Sequence, residues 1–172
     1  YNLYYGDTGK IQLTNEHPLY IKKADGTTNW CSIEPEKTKE YYPHLDFVGQ
    51  IEKSSYTALT GEVGGDSIYT LDGKWEQVKG WDYVEGEVKT YNLWSVENNK
   101  TFFANGLLAH NRSCFLAGTK IAMADSTEKN IEDIVVGDMV RSYNEKTKDV
   151  ENREVLEVES PIREGYFRLN FG

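Results

Sequence analysis

Leu107-Leu108-Ala109-His110-Asn111-Arg112-Ser113-Cys114-Phe115-Leu116-Ala117-Gly118-Thr119 is the stretch on which the reading of this chain turns. Upstream of it, Phe102-Phe103-Ala104 meets the turn pair Asn105-Gly106 and continues as Leu107-Leu108, a hairpin pattern whose second arm delivers His110 and Asn111. Downstream, Thr119 to Ala124 opens a fresh strand. Only Arg112 and Ser113 separate Asn111 from Cys114. Three virtual bonds therefore keep the two Cα atoms within about 11 Å of each other. An amide that can cyclise onto its own backbone and a thiol share one small region.

The surrounding composition points to strands. The 172 residues suffice for one domain with its own core, and 12 Tyr, 6 Phe and 4 Trp accompany Thr/Tyr/Val/Ile runs punctuated by Gly and Asn-Gly. A formal charge of -9 opposes a nucleic-acid partner, because no basic stripe is present to neutralise phosphates. Cys31 and Cys114 form no framework of spaced pairs, and a nucleophilic Cys114 needs a free thiol, which fits a reducing, cytoplasmic setting. No run of roughly 20 apolar residues exists to span a bilayer, and Tyr1-Asn2-Leu3-Tyr4-Tyr5 has no signal-peptide pattern, so the expectation is a soluble chain with no membrane partner. The three histidines and two cysteines lack metal-ligand spacing, and no Gly-rich phosphate loop occurs; neither metal nor cofactor is expected.

Outward from the central stretch, Ile11 and Leu13, then Leu19 and Ile21, predict two short strands around Thr14 to Pro18, with His17 at a strand end. Residues 24–65 read as irregular. Gly65 to Trp75 predicts a hairpin around Asp72-Gly73, and Glu87 to Val96 a strand. On the far side, Asp125-Ser126 is a turn, Asn130 to Ile134 a single helical turn, Val136 to Tyr143 a strand, and Val155–Glu159 and Gly165–Phe171 two more. The segments Gly65-Asp66-Ser67-Ile68 and Gly137-Asp138-Met139-Val140 echo one another, a hint of internal duplication.

The string ending in His110-Asn111 resembles the C-terminal end of an intein, and Cys114-Phe115-Leu116-Ala117-Gly118-Thr119-Lys120-Ile121 resembles an intein N-terminus. Ile131-Glu132-Asp133-Ile134 with Val136-Gly137-Asp138 extends the second likeness. Leu13-Thr14-Asn15-Glu16-His17-Pro18-Leu19-Tyr20 resembles the block with the Thr-x-x-His motif, and Thr90-Tyr91-Asn92-Leu93 through Asn111 the last two blocks. Taken from Cys114 to Gly172 and then from Tyr1 to Asn111, the chain resembles a Hedgehog/intein (Hint) domain over nearly its whole length. Residues 1–111 then correspond to the C-terminal intein part, 112–113 to an extein-like linker, and 114–172 to the N-terminal part. This is the order of a circularly permuted, or split and rejoined, mini-intein, with no homing-endonuclease string. The break between Gly172 and Tyr1 falls in a predicted hairpin loop, where permutation is well tolerated. The resemblance implies an all-β, horseshoe-shaped single domain with little helix and both junctions at its centre.

It also implies a chemistry, autocatalytic splicing or self-cleavage. Cys114 is the candidate nucleophile for an N–S acyl shift at Ser113–Cys114, His17 the proton donor to the departing nitrogen, and Thr14 the group positioning the amide or oxyanion. Asn111 would form a succinimide and cut Asn111–Arg112, with His110 polarising that carbonyl or protonating the leaving amine. Three departures favour cleavage over ligation. Arg112 offers no hydroxyl or thiol as acceptor, and Ser113 stands one residue too late; Asn92 and Lys100 occupy positions where many inteins carry Asp and His. The partner is the flanking extein polypeptide, and both a monomer and a domain-swapped dimer fit so short a linker. His44 reads as loop surface, and Asn105-Gly106 as a turn. The alternative is an inactive Hint scaffold serving as a structural or interaction module; an aromatic-rich sugar-binding β domain leaves the cyclic block order unexplained.

Overall fold

The protein is described by a computed structural model covering residues 9–43, 45, 49–52, 55–57, 61–63, 65–111 and 114–171. Arg112, Ser113, His44 and the Gly172–Tyr1 break lie outside the described residues. The chain runs through β1 (Gly9–Leu13), β2 (Leu19–Lys22), β3 (Thr28–Ser32), the helix α1 (Pro35–Tyr41), β4 (Gly49–Gln50), β5 (Ser55–Thr57), β6 (Gly61–Val63), β7 (Ser67–Tyr69) and β8 (Trp75–Val96). There follow β9 (Thr101–Ala104), β10 (Leu107–His110), β11 (Phe115–Leu116), β12 (Lys120–Ala122), β13 (Glu128–Asn130), a 3-10 turn (Ile131–Asp133), β14 (Met139–Asn144), β15 (Asp149–Glu159) and β16 (Ile162–Phe171). The all-β expectation holds.

β8 is the spine. Its 22 residues pair antiparallel with β7, β16, β11 and β15 in turn, so four parts of the chain are ordered along one strand. Such a length needs a bend, and the register with β16 shifts between Glu164 and Tyr166 beside Gly86 and Gly165 at φ 128° and 109°. β1 lies on the other side of β16, with Gly9 opposite Phe171 and Leu13 opposite Phe167. A side chain at position 9 would run into the Phe171 ring. The two described chain ends are thus strand neighbours.

The local turn signals place their hairpins. Asn105 and Gly106 adopt φ of 47° and 77°, and Leu107 pairs with Ala104. Around Asp72-Gly73, Tyr69 pairs with Trp75. Two expectations change. Residues 24–65 hold β3 and α1, because β3 ends in a continuously buried Trp30-Cys31-Ser32 run with no alternation to read, and α1 is only seven residues long. The strand expected from Val136 begins at Met139, since Val136-Gly137-Asp138 forms a turn closed by Asp138 N–H on Val135 O at 3.1 Å.

The echo of the two Gly-Asp segments is structural. Asp66 Oδ2 accepts from Lys23 Nζ and the Glu52 N–H, each at 2.7 Å, and Asp138 Oδ2 from Lys129 Nζ and the Val135 N–H at 2.7 and 2.9 Å. Their carbonyls accept from Val78 and Val155, both at 2.8 Å. The hairpins feeding these clasps match too: Asp25 Oδ1 takes the Thr27 hydroxyl as Asp125 Oδ1 takes that of Thr127, both at 2.6 Å. The main apolar core buries Ile11, Leu13, Leu19, Phe102, Phe115 and Ile121 fully, and a second cluster gathers Tyr20, Trp30, Phe103, Leu108 and Tyr143. Among the described residues no helix is long and apolar enough to cross a membrane.

Candidate active site

The loop from Thr14 to Pro18 leaves β1 beside the start of β11, because Leu13 pairs with Phe115. That pairing extends one step further, with the Thr14 N–H donating to the Cys114 carbonyl at 3.1 Å. His17 then turns inward and lies fully buried against Phe115, ring centroids 3.9 Å apart. On the other side of the loop, β10 docks on β2 through Ala109 opposite Leu19, and the His110 N–H donates to the Pro18 carbonyl at 3.2 Å. The structure thus brings Thr14, His17, His110, Asn111 and Cys114 to one buried place, all at most 5% exposed.

Asn111 is held from three directions. Its N–H donates to the Lys100 carbonyl at 2.8 Å, and its side-chain Nδ2 to the Trp94 carbonyl at 3.2 Å. The Asn111 carbonyl lies 3.0 Å from His110 Nδ1. As a donor, that nitrogen polarises the carbonyl. The imidazole is itself braced by Trp30, edge to face at 5.2 Å. Lys100 sits at φ 58° with its side chain exposed, so it contributes a carbonyl to the site and not its ammonium.

The Cys114 side is different in kind. Thr14 Oγ1, both nitrogens of His17 and both polar atoms of the Asn92 side chain are buried with no well-formed hydrogen bond. Burial holds the His17 pKa well below its ordinary 6.5; the nearby Cys114 backbone offsets this in part, and His110 lowers it further. The ring is neutral at rest. Burial likewise pushes the Cys114 thiol up, while the Thr90 hydroxyl and the Arg163 guanidinium pull it back and Glu16 opposes them. Cys114 is a free thiol, as is Cys31, which burial raises to about 11 and which faces Leu19 within the core.

Thr90, Arg163 and Trp30 were not singled out in the sequence. Thr90 had a readable signal, since strand alternation puts it on the same face as Asn92. Arg163 and Trp30 had none, because distant strand pairings bring them in. No three His, Cys, Asp or Glu side chains among the described residues converge as metal ligands.

Among solved structures, this architecture is similar to an intein from a hyperthermophile, at 11% sequence identity and a TM-score of 0.55, over 95% of this chain and 90% of that one. The chain has the intein fold. It is also similar to the VidaL intein, at 15% identity and a TM-score of 0.47, over 90% of this chain and 82% of that one. No family model and no curated protein matches the sequence. Within this intein fold, the Thr14–Pro18 loop is the shared wall between the Asn111 and Cys114 ends.

Proposed function

We propose that this domain is a permuted mini-intein that cuts its own backbone at Ser113–Cys114 and Asn111–Arg112, acting on the polypeptide that flanks those bonds. The observation that carries the reading is the 3.0 Å approach of His110 Nδ1 to the Asn111 carbonyl, in the pocket that also holds Cys114 and His17. The Asn111 amide nitrogen attacks its own carbonyl carbon, the Asn111–Arg112 C–N bond breaks, and a succinimide and a free amine result. His110 polarises the oxygen under attack. Drawing a proton of Nδ2 toward the Trp94 carbonyl makes that nitrogen the better nucleophile.

The N–S shift is balanced within itself. Cys114 Sγ bonds to the Ser113 carbonyl carbon, the Ser113–Cys114 C–N bond breaks, and the thiol proton ends on the departing nitrogen. Neutral His17 suits both halves of that transfer, taking the proton from sulfur and handing it to nitrogen. Thr14 Oγ1, buried without a hydrogen bond, supports a role as donor to the oxyanion. Arg112 offers no acceptor for ligation, so the products are cleaved pieces. The pairing of Gly9 with Phe171 supports the permuted order, because it puts the two ends one strand apart.

Intact-mass spectrometry of the purified chain with and without thiol tests this. Pieces ending at Asn111 and pieces beginning at Cys114 are expected; a chain that stays whole from pH 6 to 8 in thiol overturns it. One observation favours the inactive scaffold, the 2% exposure of the Cys114 residue, and that reading requires an intact chain even with Arg112→Cys.

A further inference from the structure

The reaction needs a cysteine thiolate, yet Cys114 is buried where a bare thiolate is disfavoured. A compensating charge comes from β16. Directly opposed residues of an antiparallel pair point to the same face of the sheet, and Arg163 is opposite Val88 as Leu116 is opposite Thr90. Val88 and Thr90 are two apart on β8, so Arg163, Thr90 and Leu116 lie on one face of the sheet, where β11 joins β8. Exposure agrees: Ile162 is 66% exposed and Glu164 exposed, while Arg163 between them is half-buried. Both the Arg163 guanidinium and the Thr90 hydroxyl draw the Cys114 thiol pKa down against the effect of burial.

Two details set their roles. The Thr90 hydroxyl has one proton, which it gives to the Pro161 carbonyl at 2.8 Å; that carbonyl also accepts the Thr90 N–H at 2.9 Å. The hydroxyl can therefore accept from the thiol at rest and swing to donate once sulfur is charged, without stranding Pro161. Arg163 needs no such change. It has no carboxylate partner among the described residues, and its Nε is buried with no acceptor.

We propose that Arg163 is a catalytic residue of the first step, its guanidinium holding the Cys114 sulfur as the attacking thiolate while the Thr90 hydroxyl turns to support it. The inference rests on the reading of Cys114 as nucleophile. Arg163 gives up no proton; it balances charge while the thiol proton travels through His17. Among the described residues, the other charged group that acts on Cys114 is Glu16, which opposes the thiolate, so removing Arg163 leaves that opposition without this positive charge against it.

The test is the ionisation of Cys114 in the full chain with Asn111→Ala, followed by carbon-13 NMR of labelled cysteine Cβ, which needs no access to the buried sulfur. Arg163→Gln should move the Cys114 midpoint up by about one pH unit, a tenfold loss of thiolate at a fixed pH below it, and leave Cys31 in place. Thiol-induced cleavage before Cys114 should slow by about the same factor. Arg163→Lys, which keeps the charge and loses the fork, should fall between, and carries the test if the Gln variant does not fold. A Cys114 midpoint unchanged in the folded variant overturns the inference, whatever the cleavage does. A shifted midpoint in a chain that never cleaves keeps Arg163 as the counter-charge of the Cys114 thiolate but overturns its catalytic role together with the proposed function.

Discussion

At Asn111 the main-chain N–H, the side-chain amide and the carbonyl have partners in Lys100, Trp94 and His110; at Cys114 the neighbouring Thr14 hydroxyl, His17 imidazole and Asn92 amide are buried without well-formed bonds. Buried polar groups left unpaired are costly, by about 1–3 kcal/mol each, and native proteins keep few of them. Five such atoms on the Cys114 side of a gap of two residues, against one (Asn111 Oδ1) on the other, distinguish the two ends. On the proposed function, the Asn111 end needs little rearrangement to react. The donors at the Cys114 end would then bond as charge develops in the tetrahedral intermediate.

The sharpest way to break the comparison is to remove each reacting group. Asn111→Ala should abolish pieces ending at residue 111 and spare thiol-induced cleavage before Cys114, and Cys114→Ala should do the reverse; loss of both products in either variant would mean that the ends are coupled. Next in size, His110→Gln should slow cleavage after Asn111 by about 10²–10⁴-fold in a mass-resolved time course. His17→Gln should leave that cleavage nearly intact while suppressing the thiol-dependent one.

His17 also has a signature in stability. Its folded-state pKa lies below the unfolded value, so the unfolded chain binds the extra proton first, and stability falls as pH drops below about 6.5. Urea midpoints at pH 5 and pH 7.5 should differ more in the wild type than in His17→Gln; equal differences would show that the imidazole is not held neutral by burial. The smallest effect belongs to Lys100→Gly. If only its carbonyl and its φ of 58° matter, cleavage rates should stay within about twofold, since glycine adopts that conformation freely.

The hairpins at Asn105-Gly106 and Asp72-Gly73 were legible because a short turn carries its conformation in its own residues, two between paired positions in the first and five in the second. Cys114, Asn111, His110 and His17 stood out in the sequence through their resemblance to intein motifs, and the fold buries them together. β3 and α1 were not, for a short buried run and a seven-residue helix offer no periodicity to count. Nor was the use of Lys100 through its carbonyl, since the letter at a position announces a side chain and not a backbone bond.

The sequence by itself determined which reactive groups are present, and it tied Asn111 to Cys114 within reach of each other, since covalent geometry caps what two residues can span. Tertiary structure alone decided the surroundings of those groups: that burial keeps His17 neutral, that His110 meets the Asn111 carbonyl, and that Arg163 shares a sheet face with Thr90. Burial and the register of strands more than seventy residues apart set those outcomes, and both are properties of the packed chain that no local stretch contains.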